Sequence, residues 1–173
     1  MLIPGGTYTP PHIPIQPTMT PAILIVKKAR IHYKIHEYNH DSNRTDYGIE
    51  AVLKLNINPN RVIKTLIAKL KPSEFVVAMI PVAEQLSMKK LARAAGAKHA
   101  SMAPLERIKA LTGYLAGGIS PLGQKQKLAC FLDQTTLSHA TVFISGGRRG
   151  VEIELFAKDL IQLTDAVSAE LVD

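Results

Sequence analysis

Lys64 is the residue whose type and surroundings most clearly indicate chemistry. It lies in the run VIKTLIA at 62–68, where every neighbour suits a buried β-strand. A lysine in such a strand either reaches solvent at a sheet edge or points into a polar pocket. In a pocket it offers a positive charge and three N–H donors to a phosphate, a carboxylate or an ester oxygen. The residues alone leave both interpretations open.

Two glycine-rich segments, 117–123 and 146–150, could supply backbone donors to the same pocket. The first is predicted to follow a strand at 114–116, and Ser145 ends a predicted strand just before the second. Glycine permits positive φ and close backbone approach, so such loops can direct N–H groups at a developing oxyanion or a ribose phosphate. Each loop alone is explained equally well as a tight turn. Together with Lys64 they predict a pocket.

The other reactive side chains favour structural roles. His32, His36 and His40 are spaced by four, but the alternating pattern around them predicts a strand with surface histidines rather than a zinc site. Cys130 lies in an apolar run, which favours a buried thiol of high pKa. The adjacent pair at 138–139, Ser then His, lacks a nucleophile elbow, and 146–150 lacks the Lys-Ser/Thr ending of a phosphate loop. We expect no metal and no cofactor.

Composition and charge limit the class of protein. The chain has 173 residues, 46% of them hydrophobic, which suits one domain with a sizeable core. One cysteine and the absence of a long apolar run favour a cytoplasmic protein without a membrane span. The net charge is +7, and 89–127 holds eight Lys or Arg against one acid, whereas 150–173 holds six acids against one base. Such an uneven distribution of charge favours contact between the basic segment and a polyanion. The alternative is a basic surface that is simply solvated.

The chain divides into an uncharged leader and one folded domain. Residues 1–18 hold five of the eleven prolines and no charged residue, which predicts an extended leader or tag, with Met19 as a candidate native start. The domain then covers 19–173. Thr20 and Ser87 are predicted helix N-caps, and helices are predicted at 20–30, 46–55, 88–95, 104–111 and 158–163. Strands are predicted at 32–38, 62–70, 75–82, 98–102, 128–132, 140–145 and 151–155.

These elements predict an α/β fold. The short link between 62–70 and 75–82 favours a hairpin, and the strands do not alternate regularly with helices. A mixed, barrel-like β-sheet, curled or closed, with helices packed outside is therefore the expected architecture.

Several segments, in order along the chain, resemble the YbaK/EbsC family. They are TPA at 20–22, VIKTL at 62–66, PVA at 81–83, TGYLAGGISPLG at 112–123 and SGGRRG at 145–150. The resemblance covers about 19–170 and is closest to the bacterial Cys-tRNA(Pro) deacylases. It implies a free-standing editing domain related to the insertion domain of bacterial prolyl-tRNA synthetase. Such a domain acts in trans to remove cysteine mischarged onto proline tRNA.

The resemblance also implies roles for particular residues. It gives catalytic roles to Lys64, Thr65, Gly117 and Ser145. Glu152 stands where relatives often carry Asp. The full set of implied substrate-binding residues is Tyr38, Tyr47, Gly118, Ile119, Ser120, Pro121, Gly146 and Glu152.

The implied mechanism relies on the substrate. The sequence offers no His–Ser, Cys–His or metal set, and similar enzymes are thought to let the thiol of the bound cysteine attack its own carbonyl. Attack by water, positioned by Lys64 or a ribose hydroxyl, is the rival. The implied partners are the acceptor end of tRNA(Pro), contacted by the basic stretch 89–127, and prolyl-tRNA synthetase, with no role for DNA. Editing of another residue such as alanine, or a non-catalytic tRNA- or synthetase-binding role, remain the alternatives.

Overall fold

Five α-helices and eight β-strands form the part of the chain, residues 19–173, that this computed structural model describes. The predicted leader or tag at 1–18 lies outside the described residues. The helices are α1 (Pro21–Ala29), α2 (Tyr47–Leu55), α3 (Met88–Ala94), α4 (Leu105–Thr112) and α5 (Ala157–Thr164). The strands are β1 (Tyr33–Glu37), β2 (Ile63–Leu70), β3 (Glu74–Pro81), β4 (Ala100–Met102), β5 (Ala129–Asp133), β6 (Thr141–Ser145), β7 (Val151–Phe156) and β8 (Val167–Ala169).

The strands form two sheets rather than one. The larger has the order β4-β2-β3-β5-β8 and the smaller the order β1-β7-β6. The β2–β3 hairpin is antiparallel, as the sequence predicts, whereas β5 pairs in parallel with both β3 and β8. Val62, just before β2, forms an isolated bridge with Phe143 of β6, which brings the two sheets together. The predicted mixed α/β class with outer helices is confirmed, with the strands divided between these two sheets.

Polar caps fix where two helices begin. The Thr20 hydroxyl accepts a hydrogen bond from the backbone N–H of Ile23 at 3.1 Å and donates to the carbonyl of Gly146 at 2.5 Å. Ser87 accepts from the N–H of Lys90 at 3.4 Å. Both predicted N-caps are confirmed, because each side chain satisfies a donor that the first helical turn leaves free. Thr20 additionally ties α1 to the second glycine loop.

The main hydrophobic core joins one face of each sheet to α1, α4 and α5. Ile67, Leu132, Ile153 and Leu160 are completely or almost completely buried in it. Burial of each such side chain stabilises the fold by about 1.5–3 kcal/mol. The other face of the larger sheet packs against α3 through Leu91. No helix among residues 19–173 has the length and apolar character needed to cross a membrane.

Two local predictions differ from the structure. The predicted strand at 114–116 is a loop, because the buried ring of Tyr114 donates its hydroxyl to the carbonyl of Leu122 at 2.6 Å and turns the chain back on itself. The apolar pattern of α2 predicts that Ile49, Val52 and Leu53 are buried, but the side chains of Ile49 and Leu53 are 37% and 62% exposed. Glu50 is completely buried in their place.

Candidate active site

A cavity of about 420 Å³ lies where β2 of the larger sheet approaches β6 and β7 of the smaller one. Its walls come from the start of α2, the first half of β2, Val82, the first glycine loop and the facing ends of β6 and β7. The sequence-predicted site residues that line it are Lys64, Thr65, Tyr47, Gly117, Ile119, Ser145 and Glu152. Residues from five separate parts of the chain thus meet around one cavity.

Lys64 lies in the wall of this cavity. Its strand β2 is paired on the β3 side along its whole length, and its side chain is half-buried. Nζ donates a hydrogen bond to the carbonyl of Val82 at 3.3 Å. Burial lowers the pKa of Lys64, and the charge of Glu84 partly opposes this shift. Lys64 takes part in none of the ion pairs within 19–173, so its charge is available to a ligand.

Two hydroxyl groups in the cavity wall retain hydrogen-bonding capacity. Thr65 is 8% exposed, and its buried Oγ1 has no hydrogen-bond partner among the described residues. The Ser145 Oγ accepts from the N–H of Gly147 at 3.2 Å, which leaves its own O–H to donate elsewhere. An unpaired buried hydroxyl is unfavourable, so a polar ligand bound here would satisfy a group that is otherwise left without a partner.

Glycine residues allow the start of α2 and the two glycine loops to pack closely against one another. Gly117 has a φ of +83°, and a Cβ at this position would lie 2.6 Å from the ring of Tyr47. A Cβ on Gly118 would lie 2.9 Å from the Cα of Arg148, so the two glycine loops touch directly. Arg149 bridges them, because its guanidinium lies 4.6 Å from the Tyr47 ring centre and donates to the carbonyl of Ala116 at 2.9 Å.

Glu152 is a buried carboxyl facing this cavity. It is 8% exposed, pairs across the sheet with Ser145, and forms none of the side-chain hydrogen bonds found within 19–173. Burial raises the pKa of Glu152 to about 8. Burial, together with the charges of Glu152 and Glu50, also raises the pKa of Tyr38. Glu152 is therefore mostly protonated at neutral pH until a cation enters the cavity.

We expect the Glu152→Gln variant to be more stable than the wild type at pH 8 by several kcal/mol, and similar to it near pH 4. Between about pH 4.5 and 8 the folded state retains a proton that the unfolded chain releases, so wild-type stability falls as the pH rises. Glutamine cannot ionise and removes that fall. Chemical denaturation across this pH range measures the difference.

Glu154, two residues along β7, is the matched control. Partial burial acts to raise its pKa, but hydrogen bonds from His36 and Thr141 keep the pKa below its usual value. Glu154→Gln should therefore be less stable than the wild type at pH 7, and the difference should shrink as the pH falls. This trend is the opposite of the one expected for Glu152→Gln. If the free energy of unfolding changed with pH in the same way for the wild type and Glu152→Gln, the assignment of Glu152 as a buried neutral acid would be contradicted.

A buried His–Glu pair that the sequence did not reveal supports the cavity wall. His40 Nδ1 lies 2.6 Å from Glu50, and the N–H of Asp41 donates to the same carboxylate at 2.7 Å. The His40 ring packs against Tyr47 with 5.7 Å between ring centres. His36 contacts Glu154 at 2.8 Å. His36 and His40 are thus paired and partly buried, rather than ordinary surface side chains.

Several predicted residues lie behind or beside the cavity. Ser120 is completely buried, and its hydroxyl accepts from the N–H of Leu122 at 3.3 Å. The N–H of Gly146 donates to Val151 at 2.8 Å. Tyr38 lines a neighbouring groove. Gly118 and Pro121 also do not line the cavity, so the substrate-binding roles of these five residues stay predictions.

Two further side-chain predictions concern metal ligands and nucleophiles. Within 19–173, no group of three or more His, Cys, Asp or Glu side chains could hold a metal ion. Cys130 is buried, and burial raises its pKa to about 11, which disfavours the reactive thiolate.

Comparison with known proteins gives consistent matches. A family model described as the aminoacyl-tRNA editing domain matches residues 46–163. Over 153 residues the chain is 34% identical to EbsC of Enterococcus faecalis, which carries the provisional name Cys-tRNA(Pro)/Cys-tRNA(Cys) deacylase; the match covers 88% of this chain and 92% of EbsC. A proline–tRNA ligase of Brachyspira hyodysenteriae is 28% identical over 99 residues, which are 57% of this chain and 17% of the ligase.

The fold is also found in solved structures. The crystal structure of a candidate trans-editing enzyme for prolyl-tRNA synthetase matches with a TM-score of 0.76 and 24% identity. The match covers 90% of this chain and 99% of that one. The two chains therefore share the same fold.

Proposed function

This chain belongs to the aminoacyl-tRNA editing domain family, and we propose that it removes cysteine from proline tRNA that has been charged with cysteine in error. The similarity to EbsC over nearly the whole length of both proteins supports this substrate. The similarity to a segment of a proline–tRNA ligase supports a link between this domain and that synthetase. The proposal extends to action in trans beside the synthetase, in the cytoplasm. The ligand would be the acceptor end of tRNA(Pro).

The observation that carries this proposal is a cavity with a cation in its wall and, among residues 19–173, no histidine or cysteine lining it. An aminoacyl ester is already activated, so it requires a nucleophile, a correct orientation and stabilisation of the developing oxyanion. Lys64 and the hydroxyls of Thr65 and Ser145 supply the last two of these. Glu152 supplies a carboxyl for the α-ammonium of the amino acid.

In the mechanism we favour, the substrate brings its own nucleophile. The thiol sulfur of the bound cysteine attacks its carbonyl carbon, so that a C–S bond forms and the ester C–O bond breaks. The electron pair leaves with the ribose oxygen, which takes up the proton from the thiol. Water then opens the released thiolactone to free cysteine. Lys64 stabilises the negative charge that develops on oxygen, and the cavity holds the reacting atoms in contact.

Release rates from tRNA(Pro) charged with Cys, Ser, Ala or Pro test both the activity and its mechanism. Serine is the matched control, because it differs from cysteine only in carrying oxygen in place of sulfur. We expect cysteine to be released on the order of 100-fold faster than serine, since a poorly placed or weaker nucleophile forfeits a factor of this size.

The other outcomes separate the alternatives. Equal rates for cysteine and serine would contradict thiol participation and favour water as the nucleophile. Fastest release of alanine would assign a different substrate to the same site. Binding of tRNA without release of any amino acid would contradict the enzyme and support a non-catalytic binding module.

A further inference from the structure

A second groove adjoins the cavity on the side of the second glycine loop. It has a volume of about 340 Å³ and lies between the end of β1 and the loop that precedes β7. Its walls are Glu37, Tyr38, Asn39, Arg148, Arg149 and Gly150. Arg149 forms the boundary between the two depressions, because it also contacts Tyr47 and Ala116, which line the cavity.

The guanidinium of Arg149 is held in a fixed position at this boundary. Its face lies on the ring of Tyr47, and its Nε and Nη2 donate to the carbonyl of Ala116 at 3.2 and 2.9 Å. Nη1 forms none of the hydrogen bonds found within 19–173. Arg149 is exposed and takes part in none of the ion pairs there. A planar cation that is already oriented, but whose charge is not neutralised, suits a phosphate group.

Arg148 places a second cation in the same groove. It pairs with Glu37 at 3.2 Å, and the two side chains are 43% and 45% exposed. An exposed pair of this kind is weak, so a phosphate can compete with Glu37 for Arg148. The Glu37 carboxylate nevertheless opposes an anion here. Arg149 is therefore the principal group and Arg148 the secondary one.

We propose that Arg149, assisted by Arg148, binds the phosphodiester that joins the last two nucleotides of the RNA substrate. This inference rests on the proposed function, because it assumes that the aminoacylated ribose lies in the cavity. In a charged RNA the ester and this phosphate are attached to the same terminal ribose. A cation at the boundary of the cavity can therefore contact the phosphate while the ester lies beside Lys64. Tyr38 gives the groove an aromatic wall, which suits a nucleobase.

The test compares two substrates that differ in the phosphate. One is Cys-tRNA(Pro), and the other is cysteine esterified to adenosine, which has no phosphate. With Cys-tRNA(Pro), we expect Arg149→Gln to raise KM about tenfold or more and to reduce the slope of log KM against log salt by about 1. With cysteinyl-adenosine, the variant and the wild type should have the same kcat/KM. Arg149→Lys should lie between them, since it retains the charge but not the planar fork.

Two further sets of variants serve as controls. Lys28→Gln removes one positive charge from an exposed position on α1 and should leave KM within twofold of the wild type. Lys98→Gln with Lys109→Gln tests the basic stretch 89–127, which the sequence predicts to contact the acceptor stem. A rise in KM with that double variant but none with Arg149→Gln would overturn the phosphate site.

The remaining outcomes are also decisive. An equal loss with both substrates would show that Arg149 only positions Tyr47 and the first glycine loop, which would overturn the proposal. Affinity for uncharged tRNA(Pro), measured in parallel, tests the site without turnover. If the wild type released no cysteine, the proposed function would fail, while unchanged tRNA affinity in Arg149→Gln would separately refute the phosphate site.

Discussion

The Lys64→Ala variant should lose cysteine release by on the order of 100- to 1,000-fold in kcat. This is the usual effect of removing one group that stabilises a developing oxyanion inside a site from which water is largely excluded. Among residues 19–173, Lys64 is the one lysine or arginine that lines the cavity, so its removal takes the positive charge out of the cavity wall. Single-turnover release from Cys-tRNA(Pro) measures the chemical step directly.

The fold should tolerate this change. The side chain of Lys64 makes one hydrogen bond, to Val82, and burial already disfavours its charge. Lys69→Ala, five residues along the same strand, is the matched control, because Lys69 is half-buried but lies outside the cavity. Full release by a folded Lys64→Ala variant would remove the lysine from the mechanism. Lys64→Arg should recover little activity, since a larger planar group does not reproduce a compact ammonium.

Local signals in the sequence were sufficient to predict most of the secondary structure. Thr20 and Ser87 cap helices because their hydroxyls act within three residues along the chain. The β2–β3 hairpin follows from two β-prone runs with a short link. The parallel pairing of β5 with β3 and β8 joins strands far apart in sequence, and no local pattern specifies it. Division into two sheets has the same long-range origin, which is why a single barrel-like sheet was expected.

The site was predictable where residue type alone carries the signal. A lysine in an apolar strand and glycines beside a strand end are unusual enough to be noticed, so Lys64, Gly117 and Ser145 could be placed near a pocket. Glu50 and His40 form a buried pair only because α2 packs against the segment that follows β1. The raised pKa of Glu152 and the exposed charge of Arg149 likewise depend on tertiary packing.

Gly117→Ala should reduce cysteine release by about 100-fold, although it adds only one methyl group. The new Cβ would lie 2.6–2.7 Å from three ring atoms of Tyr47, so the ring or the loop must move. Both line the cavity, and a displacement of about 1 Å at a reacting centre has an effect of this size. Release assays with Cys-tRNA(Pro), together with thermal unfolding, separate the loss of activity from any loss of stability.

Gly96→Ala is a matched control for the backbone strain. Gly96 also has a positive φ, +67°, but a Cβ there would meet no atom of residues 19–173 within 4 Å. Both substitutions therefore carry a left-handed backbone cost of about 1–2 kcal/mol, whereas only Gly117→Ala displaces the cavity wall. If the two variants lost activity equally, the loss would come from backbone strain or lowered stability, and close packing of Gly117 against Tyr47 would have no part in catalysis. Retained activity in Gly96→Ala with a large loss in Gly117→Ala would instead show that the distance between loop and ring sets the geometry in which the ester is cleaved.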